Sequence, residues 1–579
     1  MTTPSIDIQS RGQSTIQPTT PQPLWRLSTS GSLAFRNIHS ASQPIVVMNS
    51  DTLVEFHEWG AEPFEIARET DTPLLLVLSP PWCERCETMA SETFDSPMIA
   101  ANVNDDFVPV LVDPDRRPRI RDRYTMGGFP TVVFLSPSGE ILTGSTYMDA
   151  NTFRNVVERV RDSYDGGRTG SVPRPLQGGP PPSGELSEQI ERHMTEQLHG
   201  AFDTENAGWG TGAKFPLPRT IEFALKRARE PATRTLDAIS RGLIDEYDGS
   251  AYRYANEPSW ADPHRAKLLS TNGALCGAYA TAYQYTGDEQ YRRSAERLIE
   301  FLSTTLWTGS AFAGSQAASD YYTLSATDRE STDTPAVDST VFADGNAIAI
   351  RACARYYALT DDETARRFAE RALDHVTSEL LDSDGRVQHF ADGPAGLLTD
   401  QASLLHALTT VAQTIDPAVL ETATSIADWT IDALRSSDGR FVDGPIEGPG
   451  LLEKPLYPLD SNTTLANALV DLSVLTGTDR YAEIARETLA QFAGASDRMG
   501  AEVAHYATAV ERARLMPLTI TVADAPGSDL HRAALRIADH EKIVALTGDH
   551  DGWAAVTTGE TVSDRVRTPD DLVSLVQGE

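Results

Sequence analysis

The feature that most constrains this 579-residue chain is a repeat of helix-turn-helix signals running through its C-terminal two-thirds. The turns "YTGDEQY", "LTDDETA", "TIDPAVL" and "LTGTDRY" recur at spacings of 74, 55 and 61 residues, counted from Thr286 through Thr360 and Ile415 to Thr476. Each is followed by an Ala-rich amphipathic stretch such as "YRRSAERLIEFL" or "YAEIARETLAQF". A second motif runs out of phase with the first: "DGSAYRY" (248–254), "TGSAFAG" (308–314), "DGRVQHF" (384–390) and "DGRFVDG" (438–444) each end a helix and open a longer loop. Repeats of this period are supersecondary units that can bury their apolar faces only against one another. The pattern predicts about twelve helices, beginning near residues 185, 218, 231, 262, 288, 340, 361, 397, 416, 458, 478 and 502. Six hairpins with short turns on one side and long loops on the other imply a closed (α/α)6 toroid rather than an open solenoid. Its long-loop mouth is the expected place for a ligand site.

Upstream the texture changes to alternating α and β. "LVEFHEWGAEPFEIARE" has helical period, "PLLLVLS" and "FVPVLVD" read as buried strands, "ERCETMASETF" as a helix, "TVVFLSPSGEIL" as a hairpin and "NTFRNVVERVRDSY" as a closing helix. That order is the order of a thioredoxin-like domain. The expected organisation is therefore a disordered tail over 1–50, a thioredoxin-like α/β domain over 51–165, a Gly/Pro-rich linker over 166–184, the all-α toroid over 185–514 and a small α/β cap over 515–579. Residues 1–47 hold one acidic residue, Asp7, which makes Met48 a plausible initiator.

Inside the first domain stands "PPWCERCETM". A Cys-x-x-Cys at a helix start has a physical logic: first-turn amides point at Cys83 and favour its thiolate, while Cys86, one turn deeper, can resolve a mixed disulfide. Trp82 precedes the pair, and Pro130 in "GGFP" is expected to be cis and to shape the site. A zinc site lacks partners, because Cys276 and Cys353, the remaining two cysteines, sit in apolar helical stretches. No metal and no cofactor are expected. Six residues before Cys83, where thioredoxins carry a buried aspartate, this chain has Val77, leaving Glu84 or Glu87 to substitute. That favours a specialised oxidoreductase or thiol sensor over a general reductant.

Charge narrows the partners. The net charge is −34, and only five of 49 basic residues are lysine. This composition suits molar salt, where repulsion is screened within roughly 3 Å at 1 M, and so suggests a halophilic source. The field repels nucleic acid and anionic lipid. No apolar run reaches the roughly 18 residues of a membrane span and no secretory leader is evident, so a cytoplasmic location is expected, with protein thiols or disulfides, or a small molecule in the toroid mouth, as partners.

The segments "WCERCETMASETF", "NVNDDFVPVLVDPDRRPRIRDRY" and "GGFPTVVFLSPSGEILTGSTY", then "GWGTGAKFP", "WADPHRAKLLSTNGAL", "YQYTGDEQY", "LLTDQASLL" and "DSNTTLANAL", together resemble the spermatogenesis-associated, thioredoxin-domain proteins over residues 51–579. The resemblance implies a thioredoxin-like domain joined to a barrel similar to those of N-acylglucosamine epimerases and six-hairpin glycosidases, in a family largely of unknown activity. Departures stand out. Glu84, Arg85 and Glu87 replace the family's His-Trp between the cysteines and His after them, and Ala266 and Thr271 replace a glutamate and an aspartate.

Where arginine has replaced lysine almost everywhere, surviving lysines mark places a guanidinium will not serve. Lys214 and Lys267 are two such, and Lys267 lies three residues beyond His264, which would place both on one helical face. Either they line the mouth as acid/base or anion-binding groups, or they make structural hydrogen bonds. Asp262, Asp344, Asp400 and Asp460 precede inner helices and read as N-caps, or as a glycosidase pair facing each other at roughly 5–9.5 Å. His264 with His389 or His406 would suit epimerisation. The mouth candidates are thus Lys214, His264, Lys267, Asp400, Asp460 and Asn462. Three functions remain open: a thiol-disulfide oxidoreductase or redox sensor with Cys83 attacking and Cys86 resolving, a carbohydrate epimerase or hydrolase with an accessory first domain, and a binding scaffold.

Overall fold

A computed structural model describes residues 52–166 and 181–578. The expected tail and most of the linker lie outside the described residues. Near the start, β1 (His57–Glu58) interrupts the stretch expected to be one helix, and α1 (Ala61–Thr70) begins only after Gly60. There follow β2 (Leu74–Leu78), α2 (Glu84–Met89), α3 (Pro97–Asp106), β3 (Val108–Val112), α4 (Pro118–Tyr124), β4 (Thr131–Leu135), β5 (Ile141–Ser145) and α5 (Ala150–Asp165). The strands form one sheet in the order β1-β3-β2-β4-β5, parallel from β1 to β2 and antiparallel beyond. Central β2 is buried along its whole length. Its period-2 alternation sends Leu75 and Val77 into a core with Phe94 and Phe153, and Leu74, Leu76 and Leu78 into a second core with Phe64, Ile120 and Tyr124. Val77, standing in for the thioredoxin aspartate, is thus an ordinary core residue.

The helical region closes. Six inner helices, α7 (Pro218–Arg227), α9 (Leu269–Thr286), α12 (Ala343–Thr360), α14 (Leu398–Thr414), α16 (Leu459–Thr476) and α18 (Ala504–Leu515), each pack on the next, and α18 packs back on α7. Six outer partners, α8 (Arg229–Gly242), α10 (Glu289–Thr304), α13 (Glu363–Glu379), α15 (Leu420–Leu434), α17 (Asp479–Ala493) and α6 (Glu188–Gly200), complete the hairpins. The single turn α11 (Ala326–Arg329) lies in a long loop. The ring is an (α/α)6 toroid.

The out-of-phase sequence repeat has a structural counterpart. In each copy the chain reverses and pairs with itself, as Ile244 with Ala251, Trp307 with Phe312, Leu381 with Val387, and Arg435 with Phe441. Gly249, Gly309, Gly385 and Gly439 supply the left-handed residue of each reversal. The fourth residue of the next inner helix then clamps the returning strand. Asn272, Asn346 and Asn462 each accept from one backbone amide, of Ala251, Phe312 and Phe441, and donate to the same residue's carbonyl; Gln401 accepts from Val387 and donates to Gly385.

The C-terminal segment forms a four-stranded sheet, β12 (Ile543–Leu546), β11 (Thr519–Ala523), β13 (Trp553–Thr558) and β14 (Thr561–Val562), with α19 (Asp529–Arg536) and α20 (Pro569–Gln577). The last helix was not evident in the sequence. This cap packs on the C-terminal ends of α9, α12 and α14: Gln284 of α9 donates to Leu535 and Ile537, and His531 meets the carbonyl of Gln413 of α14. Among the described residues no helix is long and apolar enough to cross a membrane.

Candidate functional site

Cys83 caps the N-terminus of α2, its Sγ accepting from the amide of Cys86 at 3.2 Å, and the two are joined as a disulfide. The Phe129–Pro130 bond is cis. What the sequence could not indicate is the surroundings. Both cysteines are buried, 2% and 1% exposed, in an apolar cluster with Trp82 and with Ala266, Leu268 and Ala318 from the toroid's long loops. The Ala318 amide donates to the Trp82 carbonyl. The pair faces the toroid and is sealed by it, while Glu84, Arg85 and Glu87 point to solvent. Although Glu87 reaches solvent, partial desolvation of its carboxyl together with the neighbouring Glu84 pushes it above its usual range.

Trp82 is the hinge of the arrangement. Its indole Nε1 donates to Asp115 Oδ2 at 2.6 Å, its ring meets Phe129 and His264 edge-on, and the Arg253 guanidinium lies 4.6 Å over it. Asp115 follows Asp113, whose carboxyl is pushed up to about 7 by burial and by Asp115. Burial likewise raises Asp115. These two aspartates of "VDPD" were missed as site residues. Their signal was their position at the C-terminal end of a parallel strand, where α/β sheets build their sites.

The domain is held down by charge and by apolar insertion. Arg119 and Arg123 of α4 converge on Asp443, at 2.8 and 2.5 Å, and Arg123 also donates to the carbonyls of Leu451 and Lys454. Leu451 and Leu452 enter the second core of the thioredoxin-like sheet, worth roughly 1.5–3 kcal/mol for each side chain removed from water. Gly139 and Gly450 meet backbone to backbone, such that a Cβ on Gly139 would stand 2.5 Å from the Gly450 Cα. The long-loop side is therefore covered over much of its area by the first domain.

Under that cover Asp344, His389 and Asp400 bring their ligand atoms within 4.8 Å of one another. The hydrogen bonds argue against a metal set. His389 Nδ1 faces both Asp400 oxygens, at 2.9 and 3.1 Å, and Nε2 faces the Asp115 carbonyl at 2.8 Å. Burial raises the Asp400 carboxyl as well, but with Asp400 ionised both ring nitrogens meet acceptors and the ring is an imidazolium. Burial alone would lower its pKa, but Asp400 overrides that and holds it up to about 9. A positive His389 thus ties the toroid to the first domain's backbone.

The remaining candidates are scattered. His264 and Lys267 do not share a helix: they lie on the short strands β7 (Pro263–His264) and β8 (Lys267–Leu268), because Trp260 and Asp262 take left-handed backbone and the helix begins only at Leu269. His264 stacks on Tyr254, and burial together with Arg253 pushes it down to about 4. Lys267 is enclosed between Asp245 (2.8 Å) and Asp248 (2.6 Å), with Arg329 on the far side of Asp245. Lys214 is enclosed by Asp203 and the Gly210 carbonyl. Asn462 is a loop clamp. None of the four mouth aspartates is an N-cap; those positions are Leu268, Phe342, Leu397 and Pro458, and Asp344, Asp400 and Asp460 sit inside the first turn. Asp400 holds His389, whereas Asp460 pairs with Arg219 and His505. His406 lies elsewhere, inside the ring.

Residues 35–172 match the family model Thioredox_DsbH, described as a protein of unknown function, DUF255. The chain is 28% identical to human spermatogenesis-associated protein 20 over 313 residues, 47% of this chain and 39% of that protein, and the two are homologous. It spans about two-fifths of the length of the mammalian relatives it matches. Over 86 residues it is 35% identical to the thiol:disulfide interchange protein TxlA of Synechococcus elongatus, 14% of this chain and 41% of that one. A sugar epimerase from a ruminal bacterium superposes with a TM-score of 0.44 at 14% identity, over 52% of this chain and 84% of that one.

Proposed function

From a DsbH-type thioredoxin-like domain, in a chain homologous to spermatogenesis-associated protein 20 and seated on an (α/α)6 toroid, we propose an intramolecular thiol-disulfide sensor of the cytoplasm. The Cys83/Cys86 couple reports the redox state to the joint between the domains, and the toroid is the recognition module. The observation that carries this reading is the burial of both sulfurs beneath Ala266, Leu268 and Ala318. Oxidation is a two-electron exchange with a small disulfide: the Cys83 and Cys86 thiols give up two protons and two electrons, one intramolecular S–S bond forms, and the oxidant's S–S bond breaks to two thiols. The neutral disulfide suits an apolar seal. A reduced Cys83 under the seal is kept a neutral thiol by burial, and it can become the thiolate that the first-turn amides favour only where water reaches it, so the reduced pair gains by undocking. Reduction therefore loosens the joint.

The carbohydrate reading is weaker on this geometry. Asp400 is committed to His389 beneath the Asp115 carbonyl, and Asp460 to Arg219 and His505. Neither is a free acid facing another across an open mouth.

The test compares reduction of the disulfide by a small phosphine and by a protein dithiol, in the native chain and in Asp443→Ala. The expectation is that the protein dithiol reduces the variant far faster than the native chain, because undocking uncovers the sulfurs. Equal rates on both would remove the seal from the account.

A further inference from the structure

The toroid encloses a chamber on its axis, away from the cysteines. It has a volume of about 190 Å³ and lies between the inner helices and the C-terminal cap. Its lining is unlike the rest of the molecule. In a chain with 83 acidic and 49 basic residues, five cations line it against three carboxylates. The compensation within it is incomplete. Glu222 serves two guanidiniums at once, Arg355 at 2.6 Å and Arg351 at 3.8 Å, and the buried Arg351 Nε has no hydrogen-bond partner. Arg512 is engaged by Asp471. The ring of His406 makes no hydrogen bond to the described residues, although Arg351, Arg355 and Arg512 all act on it. From the cap, Lys542 spends its ammonium on three backbone carbonyls, of Leu535, Ile537 and Asp539, and reaches no carboxylate.

Burying like charges together is costly, and a fold that needed only packing would fill this axis with apolar side chains. Here burial and Arg355 push the Arg351 guanidinium down to about 10, and burial pushes Lys542 down to about 7. Two guanidiniums that line a cavity and share one carboxylate are a recognition element for planar or tetrahedral oxyanions. Thr464, Asn467 and Ser403 also line the cavity and can serve hydroxyl groups. Arg219, which pairs with the exposed Asp460, also lines the chamber. At molar salt the acidic exterior is screened within roughly 3 Å and would not keep an anion out.

We propose that the axial chamber is a binding site for a small dianion, a phosphate monoester or a dicarboxylate, held by Arg351 and Arg355 beside His406. A cavity near 150 Å³ holds benzene, so this one admits a ligand of about seven or eight non-hydrogen atoms. The site is independent of the disulfide.

The test is thermal melting of the full chain in molar potassium chloride, titrated with inorganic phosphate, with succinate, and with an equal increment of chloride as control. A saturable rise in melting temperature with either dianion, beyond that of chloride, is expected, and the stronger of the two identifies the head group. Arg351→Met should weaken the apparent affinity by about tenfold or more while melting no lower than the native chain without ligand, because it removes an under-paired charge. His406→Gln, which breaks no pair, should weaken it as well. No saturable shift with either dianion, or an Arg351→Met protein that melts lower and still responds fully, would overturn the proposal.

Discussion

Lys267 and Arg351 are cations inside one toroid, the first fully buried and the second half-buried against the axial chamber, and their surroundings differ in kind. Lys267 has a carboxylate on each side, with an arginine beyond, and its ammonium lies 4.1 Å from the Tyr322 ring. Arg351 shares a single carboxylate with Arg355 and leaves its Nε unanswered. The first arrangement is complete and holds two long loops together. The second is short of an anion, and stability alone does not explain it. The same contrast separates the two ends of the ring: Asp443 and His389 are satisfied across the first-domain joint, whereas the chamber toward the cap is under-neutralised.

The comparison breaks most sharply at Asp443. Asp443→Ala takes the shared carboxylate from Arg119 and Arg123 at the joint and should cost about 3–5 kcal/mol, read as an early transition in denaturant titration while the toroid persists. Lys267→Met takes the ammonium from Asp248 and leaves Asp245 with Arg329 as its only cation among those described, and should cost about 3 kcal/mol. Arg351→Met, chemically the parallel change, should cost nothing; equal losses at the two sites would erase the distinction. Asn462→Ala removes one loop clamp at about 1–3 kcal/mol, by thermal melting. The smallest effect is on pH. The folded pKa of His389 is raised above its unfolded value of about 6.5, so its contribution is full below that value and is lost as pH rises through about 9. The joint should weaken between pH 7 and 10, and His389→Ala should flatten that slope in the same melting assay.

The toroid was legible because its signal is periodic: helix turns and DG-type reversals recur, and helix packing follows from them with little long-range information. The clamps were half legible. Asn462 stood out, yet its role appears only on noticing that Asn272, Asn346 and Gln401 occupy the same fourth position of their helices. What misled was treating "PHRAK" as helix, since nothing in the composition announces the left-handed residues at Trp260 and Asp262. The seal over Cys83 and Cys86 and the convergence of Arg351, Arg355 and His406 were not legible at all. Arg351 and Arg355 share a face of one helix, but His406 and the loops over the cysteines reach their partners from more than 50 positions away through tertiary packing, which no local pattern encodes.

If the Cys83/Cys86 couple sets the joint between the domains, its oxidation state must change the protection of the backbone there. Amide hydrogen exchange at molar salt, on oxidised and fully reduced protein with the thiol state verified by mass, tests it directly. Faster exchange on reduction at Ala318, whose amide donates to the Trp82 carbonyl, and across the loop bearing Leu451, is the predicted result. Unchanged exchange at both places in protein shown to be reduced would contradict the account.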